Sequence, residues 1–297
     1  MSSGTVPGLD LDTSVRRRYM TPIRGRALLR NLRGPVGITV WVGLPIVLGL
    51  VILGPIVAPH STESPVGLPN LGPSAAFPFG TDNAGLDVLS RTLAAARLDI
   101  GIGLLAAVIA ALLGTGIGLL LGLRDTVAAN LSLRVIDTFQ ALPALIISFT
   151  VVALSNGSIP VLVLMLALLN APLFVRSTWT SARAVRQLEF VRAARRSGEP
   201  AWRVSLLHIG LNSIDASAAQ LSTTVGWSIL SVAGISFLGG GVRPPTPEWG
   251  AMIAAGSSGL IAGYWWESIL PGIVLAFCIL WFAAVGEVVR RSTTGAR

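Results

Sequence analysis

Residues 100–123, IGIGLLAAVIAALLGTGIGLLLGL, hold no charged residue and no proline. Wound as a helix at about 1.5 Å per residue, such a run covers the ~30 Å hydrocarbon core of a bilayer, which takes about 20 residues. Inside lipid the backbone must satisfy its own hydrogen bonds, so the segment reads as a membrane-spanning helix. Gly114, Gly118 and Gly122 recur at every fourth position on one face. A ladder of small residues lets a second helix approach closely.

Further uncharged runs flank this one, at residues 36–58, 138–175, 216–242 and 268–286. The run at 138–175 is too long for one helix, and Ser155-Asn156-Gly157-Ser158-Ile159-Pro160 breaks it with turn-forming residues. The expected fold is therefore an all-α membrane protein of about six transmembrane helices. The spans are expected at 36–58, 99–123, 135–154, 159–175, 213–238 and 267–289. External loops follow at 59–98 and 239–266, a cytoplasmic loop at 176–212, and cytoplasmic tails at 1–35 and 290–297. Pro143 and Pro172 fall inside the third and fourth spans and predict kinks. The first span exceeds the apolar core of a signal peptide and lacks a small-residue cleavage site, so an uncleaved anchor is expected.

Composition agrees. Hydrophobic residues make up 52% of the 297 and charged residues only 12%, against about 25% charged in a soluble domain; mean hydropathy is +0.72. The net charge of +8 is carried wholly by Arg, since the chain has no Lys. That absence excludes a P-loop ATP site and Schiff-base catalysis. Nucleic-acid binding is disfavoured by where the Arg residues fall. Nineteen of the 22 lie in the two tails and in the loops after the second and fourth spans; Arg91, Arg97 and Arg243 alone lie on the other side. By the positive-inside rule both termini are cytoplasmic. Cys278 sits in an apolar run, and His60 and His208 form no ligand pair, so neither an internal disulfide nor a metal site is expected.

The acids near the spans (Asp99, Asp137, Asp215, Glu267 and Glu287) lie at or near span ends. An ion-coupled carrier usually buries ionisable groups at the midplane. Any energy for pumping is then expected from another polypeptide. Both external loops are long and rich in Gly and Pro, and the second closes on Tyr264-Trp265-Trp266, which suits a headgroup-level aromatic belt. Length alone leaves gating, capping a pathway and an inert cover all open.

The loop after the fourth span carries Glu189, Arg192, Ala193, Ala194, Arg195, Arg196, Gly198, Glu199, Pro200, Trp202 and Arg203. It reads as a helix, a tight stop and a second short helix, with Gly198 suited to a left-handed C-terminal cap and Pro200 to the next first turn. Ala193 and Ala194 leave room for a close-fitting partner, and Arg192, Arg195, Arg196 and Trp202 are candidate anchors around them. On these residues alone, a solvated amphipathic hairpin fits equally well.

This stretch resembles the EAA loop of ABC-importer permeases. That motif has two alanines, three residues, a glycine, and nine more residues to an Ile-x-Leu-Pro-like ending. Ala193-Ala194, Gly198 and the spacing to His208-Ile209-Gly210-Leu211 match it. The chain also resembles the C-type permease subunit of the peptide branch. The matching external signatures are Phe79-Gly80-Thr81-Asp82, Asp87-Val88-Leu89-Ser90-Arg91, Ile235-Ser236-Phe237-Leu238-Gly239, Pro244-Pro245-Thr246-Pro247 and Trp249-Gly250-Ala251-Met252. Three positions depart from the pattern. Arg192 stands at the generic Glu, Gly210-Leu211 replaces Leu-Pro, which predicts a looser helix break, and Leu86 replaces a basic residue.

The resemblance implies a multi-pass bacterial inner-membrane subunit that pairs with a second homologous permease and with two cytoplasmic ABC ATPases. ATP and Mg would be held on those ATPases and no cofactor by this chain. An extracytoplasmic binding protein would deliver a dipeptide or oligopeptide, and no nucleic acid would take part. Residues Glu189 to Arg203 would couple to the ATPase. Pro244, Pro245, Trp249 and Met252 would gate the pathway or meet the binding protein. Nickel or another small solute, and a self-sufficient secondary carrier, stay open as alternatives. An intramembrane enzyme would need a nucleophile–base pair or metal within the spans, which neither histidine supplies.

Overall fold

The computed structural model describes residues 34–123, 126–140 and 143–294. Expectations for the basic N-terminal tail, Arg124 and Arg297, and for the side chain of Asp215, fall outside the described residues. The long helices are α1 (Pro35–Val57), α2 (Val88–Gly122), α3 (Val127–Gln140), α4 (Ala144–Leu154) and α5 (Ile159–Arg186). After the elbow helix α6 (Glu189–Arg196) come a one-turn helix at Ala201–Arg203 and a π-helical run at Val204–Gly210. The chain then continues into α7 (Leu211–Phe237), α8 (Trp249–Ser257) and α9 (Trp266–Thr294). Among the described residues the fold is all-α, with a single isolated bridge between Thr81 and Asp87.

Among the described residues four helices, α1, α2, α5 and α9, are long and apolar enough to cross a bilayer. They carry outward rows such as Trp41, Ile46 and Leu53 on α1 and Leu105, Leu112 and Leu120 on α2. The most extensive contact in the fold joins α2 to α5, and the glycine ladder explains it. A Cβ on Gly114 would stand 2.4 Å from the Ala171 carbonyl, and one on Gly118 would stand 2.5 Å from that of Val175. The two backbones meet where side chains are missing.

Several helix limits differ from the expected spans. α2 begins at Val88, so residues 88–98, assigned to an external loop, are helical. The Asp87 carboxylate accepts from the Ser90 N–H and starts this helix early. The third span is not one helix, since α3 stops at Gln140 and α4 starts at Ala144 behind an extended Pro143. Pro143 therefore stands at the start of α4 and does not kink a helix. α4 has 11 residues, about 16 Å of helix and half a bilayer core. α5 runs on to Arg186, past the expected end at 175, with Pro172 inside it. The expected turn is present, with Asn156 and Gly157 both at positive φ. No break occurs at Gly210-Leu211, because both residues keep right-handed helical angles and the π-helical run passes straight into α7.

Candidate functional site

The elbow between α5 and α7 is built by sequence rules on one side and packing on the other. Glu189 in the first turn of α6 and Arg195 and Arg196 in the last complement the helix dipole. Gly198 takes φ +80°, and the Glu199 N–H donates to the Ala194 carbonyl at 3.2 Å and the Gly198 N–H to that of Arg195 at 3.3 Å. This pair of bonds is a Schellman stop, which favours glycine at the left-handed position. Pro200 precedes the next turn as its N-cap, one residue earlier than a first-turn position. Glu199 then ties the second half down, accepting from His208 Nε2 at 2.9 Å and pairing with Arg203 Nε at 3.2 Å.

Beneath the elbow lies a separate small core. Val191, Val204 and Ile209 are fully buried and pack with Ala182, Val185 and Leu188 from the α5 side, and with Leu119 and Leu123 from α2. Arg186 Nη1 donates to the Leu123 carbonyl at 3.1 Å. The hairpin is thus packed against the ends of α2 and α5. Its outer face remains in solvent. Arg192, Ala193, Arg195, Arg196, Gly198, Pro200, Trp202 and Arg203 are exposed, Ala194 is half-buried, and Trp202 is 65% exposed. Nothing lies within 4 Å of a Cβ placed on Gly198.

At the opposite end, the signature residues form a cap over the helix ends. Gly80, at φ +71°, lets Leu71 and Trp266 close on the chain, since a Cβ there would meet the Leu71 carbonyl at 2.5 Å. Asp82 Oδ1 accepts from the N–H groups of Ala84 and Leu86, and the Thr81 carbonyl accepts from Trp266 Nε1 at 3.1 Å. Arg91 Nη1 donates to the carbonyls of Thr62 and Pro245, so one side chain pins both external segments. His60 Nδ1 and Ser90 Oγ meet Asp87 Oδ2 at 3.2 and 2.5 Å.

The four external site residues separate. Pro244 and Pro245 are exposed, whereas Trp249 is fully buried and Met252 nearly so. Trp249 donates through its backbone N–H to Asp99 Oδ2 at 2.9 Å and through Nε1 to the Thr92 carbonyl at 3.0 Å. Gly250 lets α8 press onto α7, since a Cβ would sit 2.2 Å from the Ala233 carbonyl. Glu248, unnoticed in the sequence, caps α8 with both oxygens, accepting from Gly250 N–H at 2.9 Å and Ala251 N–H at 2.7 Å. Burial pushes the Glu248 carboxyl above the ordinary carboxylate range, and those two N–H groups pull partly the other way. Its only sequence signal is an acid just before an apolar helical run. Asp99 gave none, because its partner is 150 residues away.

Among the described residues, no three His, Cys, Asp or Glu side chains gather as a metal site. The elbow offers an exposed hairpin at one end and the cap a pinned cover at the other. Comparison with known proteins gives the same picture. The binding-protein-dependent transport system inner membrane component family matches residues 114–292. The probable D,D-dipeptide transport system permease protein DdpC of Escherichia coli K12 is 31% identical over 280 residues, 94% of each chain. The di/tripeptide transport system permease protein DppC of Pseudomonas aeruginosa is 33% identical over 219 residues, 74% of this chain and 72% of its own. The glutathione transport system permease protein GsiD of Pectobacterium atrosepticum is 32% identical over 222 residues, 74% and 73%. The chain is a multi-pass inner-membrane permease and belongs to the binding-protein-dependent transport system inner membrane component family.

Proposed function

We propose that this chain is one permease subunit of a peptide importer, and that residues Glu189 to Arg203 transmit the closing motion of a cytoplasmic ABC ATPase into the membrane helices. The observation that carries the reading is the elbow itself, exposed outside and bolted by Val191, Val204 and Ile209 to the ends of α2 and α5. A surface that is rigid and bare at once transmits force from a partner without dissipating it. The chain has no Lys with which to hold nucleotide phosphates, so hydrolysis belongs to the partner. The permease forms half of a pathway completed by a second homologous subunit, and ATP binding favours one of two arrangements by differential affinity. An extracytoplasmic binding protein meets the exposed Pro244-Pro245 edge, while buried Trp249 and Met252 hold that edge in place. The peptide class rests on what the relatives' names say of them.

Trp202→Ala tests the coupling surface. Removing an exposed aromatic anchor from the interface weakens association about 10-fold or more, and leaves the thermal midpoint of the isolated chain unchanged. Unaltered co-purification of the ATPase and unaltered ATP-dependent uptake with this variant would remove the elbow from the coupling path.

A further inference from the structure

Between α3 and α5 opens a groove of about 450 Å3, lined by Asn130, Arg134, Asp137, Arg176, Trp179 and Thr180 among others. Its charges do not balance. Asp137 is the one acid in the wall among the described residues, and it is taken by Arg176, whose Nη2 donates to its Oδ1. The exposed Arg134 guanidinium is left without a counter-charge in the groove, and Asn130 beside it adds an uncharged amide donor. The length of α5 gives the depth. With the turn before Ile159 at one face of the bilayer, Arg176 lies about 26 Å down the helix and Trp179 about 30 Å. The hydrocarbon core is about 30 Å thick, so the groove opens at the headgroup level of the opposite leaflet, where Trp is enriched. Two rows run along α3. Val127, Leu131 and Val135 make an exposed apolar row, and Asn130, Arg134 and Asp137 a polar row on the adjoining face. Leu173, one turn before Arg176 and so nearer the membrane centre, is also exposed.

We propose that this groove binds the phosphate of an anionic phospholipid. Arg134 presents a planar fork that matches two phosphate oxygens, and the acyl chains leave the groove over Val135 and Leu173 toward the bilayer centre. A basic pocket between membrane helices is a recurrent seat for acidic headgroups. A zwitterionic lipid carries its own cation beside the phosphate and gains less from an unanswered guanidinium. Asp137 acts as a built-in competitor. It occupies Arg176 and repels the ligand, so it holds affinity below what two free guanidiniums would give. Bound there, the lipid ties α3 to α5 through its headgroup. This inference does not rest on the coupling role of the elbow.

The test is native mass spectrometry of the purified full chain in detergent, titrated with phosphatidylglycerol, with phosphatidylcholine of the same acyl chains, and with inorganic phosphate. Phosphatidylglycerol binds about 5-fold or more tightly than phosphatidylcholine, and Arg134→Gln removes about that factor, the share of one basic contact at a membrane surface. Arg134 is exposed, so its replacement leaves the fold intact. Asp137→Asn frees Arg176 and tightens binding, a gain that a purely structural ion pair would not give. Arg243→Gln, beside Asn156 at the other end of α5, changes nothing. Equal affinity for the two lipids, equal losses in Arg134→Gln and Arg243→Gln, or weaker binding in Asp137→Asn overturns the proposal. Inorganic phosphate bound as tightly as phosphatidylglycerol overturns the lipid as the source of the phosphate.

Discussion

Gly198 and Glu248 each do what no ordinary neighbour could do in their place. Gly198 holds φ +80° in open space, so a side chain there meets backbone strain and no clash. Gly198→Val should cost about 1–2 kcal/mol locally and also set a branched side chain on the partner-facing surface, lowering ATPase association and uptake. Gly198→Asn, which tolerates the left-handed region, should retain most of both. Equal behaviour of the two variants would show that the turn has no conformational role. Glu248 makes stability depend on pH. The folded chain keeps a proton on this carboxyl at pH values where the unfolded chain has released it, so stability falls as pH rises from the ordinary carboxylate pKa through the raised one. A Tm series over that range should slope downward in the native chain and less steeply in Glu248→Gln. The same slope in both would assign the dependence to another group.

Helix against helix, the sequence was legible where contact depends on a missing side chain. The Gly114, Gly118 and Gly122 ladder announced a close neighbour, and α5 is that neighbour. Gly118→Leu should destabilise the chain by about 1–3 kcal/mol through overpacking, whereas Gly116→Ala, on the exposed face with nothing within 4 Å, should stabilise by about 0.5–1 kcal/mol. Thermal unfolding in detergent separates them, and similar shifts for both would mean that the ladder is not an interface. The limits of α2 and α5 were less legible, because hydropathy marks where a helix is greasy and not where it ends. The helical extension of α2 to Val88 depends on the Asp87 cap, and that of α5 to Arg186 on the elbow core below it.

Across the whole molecule, we propose from the asymmetry of Arg that the elbow and both termini are cytoplasmic. Cys278 is the single cysteine and is buried, so an introduced thiol reports without background. In intact cells, Arg195→Cys should resist a membrane-impermeant thiol reagent, and in inside-out vesicles it should react; labelling from outside would invert the topology and end the coupling proposal.

Composition and local pattern were sufficient for an all-α membrane protein, for the glycine stop of the elbow and for the family, because each depends on residues close together in the chain. Only the tertiary structure decided that Trp249 and Met252 are interior, that Pro143 divides a span, that Asp99 holds the start of α8, and that Glu267 is buried at the start of α9. Burial and charge balance are properties of neighbours brought together from distant parts of the chain, and those neighbours exist only once it has folded.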